Sequence, residues 1–430
     1  MKSTFFSFSF GCRVNQAEKE MLDKELVSKG FSYTENSPQY FIVNTCAITS
    51  KAEREVRQLI YQINRKYPKT IIVITGCAAT KWIKEGKKIK GINLTVDNTD
   101  KEYLAELINS NFKTQITKRN LKTKNLNSQL LNKFISSGRM FLKIQDGCQR
   151  FCTFCIVPYL RGQPKSFSIK YLISSIKGLE KNVKEVILTA INTQAYGFDT
   201  GEKFTDLITS ILENTPIERL SFGSIHPWSI DNAFLSLYEK LKDNQRFAKY
   251  LHIPLQSGSN KILSNMKRGY TQEELSEKLN KLHLIYPLTF FGTDIITGFL
   301  EETDHDFQET YDFLNKSPIA KFHVFRFNKR DKTAAFYMSK KLKEPTPAQK
   351  AKRSQALIEL SQKKYQKFLG EHLNQSFPAL ILKRKTKDLQ EALLFNQIPV
   401  LVKAAEKDIS QIKTVKILSQ KYSTLMAEII

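Results

Sequence analysis

Three apolar, β-prone runs near the amino terminus, "FFSFSFGC", "YFIVNTC" and "TIIVITGC", each end on a cysteine, and each is followed by a stretch of helical character. Strand-helix alternation requires crossover connections and therefore a parallel sheet. All strands of such a sheet point the same way, so their carboxyl ends share one rim, where open α/β sheets bind ligands. Cys12, Cys46 and Cys77 are thus predicted to meet in space. A single buried cysteine is most simply a small hydrophobe. Three at equivalent points of successive units argue for a site. The second helical stretch opens with the capping-box pattern Ser50 and Glu53, and a fourth unit pairs "INLTV" with a helix starting near Thr99.

A second alternation follows, with six β-like segments: "MFLKIQD", "EVILTAI", "RLSFGSI", "KYLHIP", "FFGTDIITG" and "KFHVFRF". Helix-like stretches at 167–180, 229–242, 271–285 and 303–316 separate them. Six βα units predict an open, partial TIM-type barrel with its active site at the strands' carboxyl ends. Between the two blocks, residues 113–137 are polar and basic; a linker that touches phosphate and a merely solvated connection explain them equally. An amphipathic stretch from 346 to Gly370 leads to five short β-like runs with no helix between them, the composition of a small OB-like barrel. Its basic segment "KRKTK" at 383–387 suits RNA, and a solvated hairpin tip accounts for it as cheaply.

With 41% hydrophobic residues in 430, the chain can bury a core without staples, and six cysteines are too few for a disulfide scaffold. Reduced thiols are expected. The start, "MKSTFFSFSFGCRV", imitates an export signal, but its apolar run is short and no small-residue cleavage site follows. No stretch approaches the ~20 apolar residues of a membrane span; a soluble, cytoplasmic protein is expected. Sixty-seven Lys and Arg against forty-two Asp and Glu give a net charge of +25. Such a surface attracts polyanions, which makes nucleic acid the leading partner; a basic proteome would give the same balance.

The segment "DGCQRFCTFCIVPYLRG" sets Cys148, Cys152 and Cys155 in C-x3-C-x2-C order with no histidine beside them. A structural zinc site wants four protein ligands. A four-iron cluster explains three: three irons take thiolates and the fourth keeps an open position. The motif also follows the first strand of the predicted barrel, on its active rim. Here the sequence resembles the radical S-adenosylmethionine superfamily, with Phe154 as the aromatic before the last cysteine. That resemblance implies S-adenosylmethionine bound at the open iron and cleaved by one electron to a 5′-deoxyadenosyl radical.

"GCRVNQAE", "VNTCAIT", "VITGCAA", "HIPLQSGSNKILSNMKRGYT", "GTDIITGFLEET" and "FHVFRFNKRDKTAA" further resemble the methylthiotransferases of that superfamily, over nearly the whole chain. The resemblance implies domains at 1–112 (auxiliary cluster), 138–368 (radical core) and 369–430 (a TRAM-like RNA-binding barrel), with 113–137 as the linker. By the same resemblance Cys12, Cys46 and Cys77 hold a second, sulfur-delivering [4Fe-4S] cluster, and two S-adenosylmethionine molecules are consumed. The motif G-C-[KR]-V-N-Q is closest to the branch acting on threonylcarbamoyladenosine of tRNA, beside the anticodon, giving a 2-methylthio product. Isopentenyladenosine of tRNA and a ribosomal-protein aspartate are the substrates of the other branches. An electron donor such as flavodoxin or ferredoxin and a sulfur source are implied partners.

Asn192, Gln256, Ser257 and Asp294 fall where barrel strands face a ligand and are candidates for the adenosine or methionine parts, each with a turn role as the alternative. Arg161 is a candidate for a carboxylate or phosphate, or for a surface pair. His226, before a proline, is read as a packed loop residue. Ala190 replaces a glycine usual in the family, and the carboxyl-terminal segment lacks the glycines typical of its module. A non-catalytic RNA-binding protein with structural zinc is the rival of a different class; it leaves zinc short of ligands twice.

Overall fold

The structure is a computed structural model and describes residues 3–110, 138–179 and 183–430. The expected linker at 113–137 lies outside the described residues.

The amino-terminal block forms β1 (Thr4–Ser9), β2 (Ser32–Tyr33), β3 (Tyr40–Thr45), β4 (Ile71–Gly76) and β5 (Leu94–Thr95). They make one parallel sheet in the order β2-β1-β3-β4-β5. Every residue of β3 is buried, as expected for a central parallel strand covered on both faces. Strand order reverses between β1 and β3, and register pairs Ser9 with Asn44 and Thr45 with Gly76, so the three cysteine-bearing ends are level. The expected capping box is not formed. Thr49 is the N-cap of helix Ser50–Lys66, accepting from the Ala52 amide, because Glu53 is buried instead in a pair with Lys81 and Arg330. The helix expected near Thr99 begins at Lys101 as a 3-10 turn and continues as Leu104–Asn109.

The central block contains β6 (Arg139–Asp146), β7 (Lys165–Ser166), β8 (Glu185–Ala190), β9 (Arg219–Phe222), β10 (Tyr250–His252), β11 (Phe290–Thr297) and β12 (Lys321–Arg326). Six of these run parallel in the order β6-β8-β9-β10-β11-β12, with a single bridge, Leu220 to Phe247, joining the β9 and β10 segments. The barrel is open: β12 does not pair with β6, whose outer edge takes the short antiparallel β7. Its core lies between strands and surrounding helices, where Leu251, Phe291, Ile295 and Phe322 meet Leu279, Phe313, Leu357 and Leu360. Helix Pro347–Gly370, with a capping box at Thr346 and Gln349, runs beside β12 into the last block.

That block is a closed barrel of β13 (Ser376–Thr386), β14 (Leu389–Leu394), β15 (Pro399–Val402), β16 (Ile412–Lys421) and β17 (Thr424–Ile429), ordered β13-β14-β15-β17-β16. It packs against the amino ends of the central strands. Arg219, the first residue of β9, donates to the carbonyls of Leu393 (2.9 Å) and Leu394 (3.2 Å), and the Lys249 amide donates to Phe395 O. Gln397 donates to Glu185, the first residue of β8.

Candidate metal centres

The two cysteine trios lie beyond the carboxyl ends of β1, β3 and β4 and of β6. In the first, Cys12 is the N-cap of helix Arg13–Ser28, Cys46 directly follows β3, and Cys77 opens helix Cys77–Lys84. Two helix N-termini thereby point their free amides toward the site, which favours negative charge there. Glycine is required twice. Gly11 (φ +88°) presses on Cys46, whose Sγ would lie 2.7 Å from any Cβ at position 11; at Gly76 (φ +95°) a Cβ would fall 2.4 Å from Thr45 O. Burial pushes the Cys46 thiol up to about 12, and Cys12 is raised for the same reason; charge on the neighbouring trio members raises both further. Thiols so placed become thiolates when a cation joins them.

In the second trio, Cys148 follows β6 and its amide donates to Gly162 O (3.0 Å), while the Cys155 amide donates to Cys152 O (2.9 Å). The loop is pinned from outside: Thr153 donates through Oγ1 to Asn265 O and through its amide to Met266 O, and accepts from the Ala335 amide. Phe154 packs on the cluster of Ile262, Met266, Phe299 and Phe327. Burial pushes Cys155 up to about 12 and raises Cys148.

The donor sets fit a multi-iron cluster better than a single ion. Each trio supplies three thiols, one short of the four protein ligands of a closed zinc site. An all-thiolate set of three per site is also the ligation of an iron-sulfur cluster with one open iron.

Of the other expected residues, Asn192 is buried and directs Nδ2 at Cys148 Sγ, 3.8 Å away. Gln256 has φ +80° and works through its backbone, exchanging hydrogen bonds with Asp294 O and the Ile296 amide. Ser257 Oγ lies 3.2 Å from Thr310 Oγ1 and accepts from the Ser259 amide, the turn role. Asp294 faces His252 (3.1 Å) and His323 (3.3 Å). His226 is packed: it lies 3.4 Å from Thr193 Oγ1, stacks on Trp228, and burial pushes its ring down to about 3. Ala190 pairs with Gln145 at an irregularity in β6.

Arg161 is placed at the first trio, although it follows the second in sequence. Its side chain is 1% exposed, and it donates to Glu18 (2.9 Å), Asp146 (2.8 Å), Asn15 (2.7 Å) and Cys77 Sγ (3.4 Å). Lys101 and Lys143 complete the cluster on Glu18. Burial alone would raise the Glu18 carboxyl; Arg161 and the two lysines instead hold it well below the usual range. Sequence reasoning missed Glu18, Lys101 and Lys143, and also Arg268, which donates to Cys152 Sγ (3.3 Å) while lying on the Trp228 ring. Arg150 lies on the same ring. The basic-aromatic density of "SIHPW" and "NMKRGY" was the only available signal.

Residues 142–314 match the family model of the radical SAM superfamily, and residues 4–97 match that of Uncharacterized protein family UPF0004. The threonylcarbamoyladenosine tRNA methylthiotransferase MtaB of Aquifex aeolicus (strain VF5) is 35% identical over 87% of this chain and 92% of its own. The chain belongs to the radical S-adenosylmethionine methylthiotransferases, in the MtaB branch. The Bacillus subtilis (strain 168) protein of the same name is 30% identical to this methylthiotransferase over 96% of the chain and 93% of its own. A tRNA-2-methylthio-N(6)-dimethylallyladenosine synthase of Buchnera aphidicola subsp. Cinara cedri (strain Cc) is 35% identical over 90% and 91%. Among solved structures, the radical S-adenosylmethionine methyltransferase TsrM of Kitasatospora setae shares the fold at TM-score 0.52 and 13% identity, over 75% of this chain and 73% of that one. The methylthiotransferase has, among its described residues, no helix long and apolar enough to cross a membrane.

Proposed function

We propose that this methylthiotransferase replaces the hydrogen on carbon 2 of N6-threonylcarbamoyladenosine, beside the anticodon at position 37 of tRNA, with a methylthio group. Two [4Fe-4S] clusters and two S-adenosylmethionine molecules would serve the reaction. Cys148, Cys152 and Cys155 would hold the cluster that supplies the electron for cleaving S-adenosylmethionine, and Cys12, Cys46 and Cys77 the cluster that supplies sulfur. The observation that carries the reading is the convergence of a second, independent thiol trio at the rim of the amino-terminal sheet. It is joined to the loop of the first through Arg161.

Within that reading Asn192 and Arg268 steady the sulfurs of the radical centre, Phe154 anchors its loop, and the C-terminal barrel, with Lys383 to Lys387 on its first hairpin, contacts RNA. The enzyme would act in the cytoplasm, with a small reductase partner such as flavodoxin or ferredoxin and an external sulfur source.

Mass spectrometry of tRNA nucleosides from cells with and without the gene tests the substrate. Loss of the 2-methylthio form of threonylcarbamoyladenosine is expected. Loss of 2-methylthio-isopentenyladenosine would move the protein to the second reading, which the 35% identity to the Buchnera dimethylallyladenosine synthase favours. Unchanged tRNA nucleosides would overturn both.

A further inference from the structure

His252, Asp294 and His323 stand side by side on the three neighbouring strands β10, β11 and β12. Leu251, Phe291, Ile295 and Phe322 of the same strands pack outward into the helix-covered core. Alternation therefore turns His252, Gly292, Asp294 and His323 to the inner face of the barrel. Register fixes them: His252 is opposite Gly292, and Asp294 is opposite His323. Gly292 is itself part of the arrangement, since a Cβ there would stand 2.9 Å from His252 Nδ1. Its absence lets the imidazole lie across β11 toward the carboxylate.

Asp294 is a mostly buried carboxylate whose only ion-pair partners among the described residues are the two imidazoles. A buried carboxylate needs a positive partner. His252 Nε2 lies 3.1 Å from one carboxylate oxygen and His323 Nδ1 3.3 Å from the other. Charge-assisted hydrogen bonds are shorter, ~2.7–2.9 Å. Donors ~2.1 Å from a shared ion stand ~3.0–3.4 Å apart, and each imidazole nitrogen stands at such a separation from its own oxygen of the carboxylate. The three donor atoms also lie within 4.8 Å of one another.

We propose that His252, Asp294 and His323 form a binding site for one divalent transition-metal ion, separate from the iron-sulfur ligands. Two imidazoles and one carboxylate suit zinc, iron(II), manganese or cobalt, and three protein ligands leave positions open. With His323 59% exposed, those positions face the barrel opening rather than the core.

Cobalt(II) is the probe. Added to the iron-sulfur-loaded enzyme and followed by gel filtration, it should remain at one per chain above the iron. It should show the weak visible bands of nitrogen and oxygen ligation without the strong near-ultraviolet absorption of cobalt-thiolate bonds. Proton NMR of the wild type should show two exchangeable, strongly shifted imidazole N–H resonances, a readout that needs no variant. Asp294→Asn and His323→Ala should bind cobalt at least tenfold more weakly with iron content unchanged. Gly292→Ala should weaken it too. Failure of the wild type to retain cobalt, thiolate absorption in the bound form, or equal retention by Asp294→Asn would overturn the site. None of these outcomes depends on which RNA, if any, the enzyme modifies.

Discussion

Arg161 Nε lies 3.4 Å from Cys77 Sγ, although the two residues belong to different blocks of the chain. The same guanidinium pairs with Asp146, two residues before Cys148, so it ties the start and end of the radical-centre loop to the auxiliary trio. Removing it leaves Glu18 and Asp146 buried without their main cation, and breaking a buried pair in this way costs about 3–5 kcal/mol. Arg161→Gln should therefore lower the denaturant midpoint sharply. Arg161→Lys restores charge but not the fork, and should retain most iron while releasing more 5′-deoxyadenosine per methylthio product than the wild type. An unchanged ratio would show that the guanidinium does not couple the centres.

Glu20 carries the opposite electrostatic load. Burial pushes its carboxyl up to about 7, with only partial relief from Lys24 and the Phe141 amide. The folded protein thus holds a proton there that the unfolded chain, with a pKa of about 4.3, has already released. Stability from this residue is present below about pH 4 and is lost as pH rises to about 7. Glu20→Gln should remove that slope and raise stability at pH 8 by about 2–3 kcal/mol, measurable by urea titration at several pH values.

The two trios should be separable by mutation. Loaded wild type should contain about eight irons, and both Cys77→Ala and Cys152→Ala about four. Cys77→Ala should keep reductive cleavage of S-adenosylmethionine and lose methylthiolation; Cys152→Ala should lose both. Iron analysis with 5′-deoxyadenosine quantification distinguishes them.

Arg268 donates to Cys152 Sγ while fixed by Trp228, Tyr270 and the Pro254 carbonyl. Hydrogen bonds and positive charge at a cluster sulfur stabilise the reduced, more negative state. Arg268→Gln should lower the midpoint potential of the proposed radical centre by tens of millivolts, read by an EPR-monitored redox titration in a Cys77→Ala background.

What the sequence disclosed follows from the reach of local pattern. β-runs ending in cysteine fix a parallel rim, because strand direction follows from the crossover helices, and so the level strand ends that carry Cys12, Cys46 and Cys77 are legible in the sequence. The six barrel strands and the five of the last barrel were equally legible by period and turn composition. Glu53 shows the limit: its spacing from Ser50 imitates a capping box, yet the residue that claims it, Arg330, lies 277 positions away. Glu18, Lys101 and Lys143 look like ordinary solvated charges on their own elements. Only packing of helix Arg13–Ser28 against β6 buries them around Arg161.

The last barrel rests on the amino ends of β8 and β9, whereas Cys148 lies beyond the carboxyl end of β6. Eight extended residues, the length of β6 and β11, span ~26 Å. A polynucleotide gripped at both places must bridge that separation along the flank of the enzyme. On the proposed reading, short oligonucleotides carrying only the target base would touch one grip and forgo the other, and their turnover would report the length of the substrate.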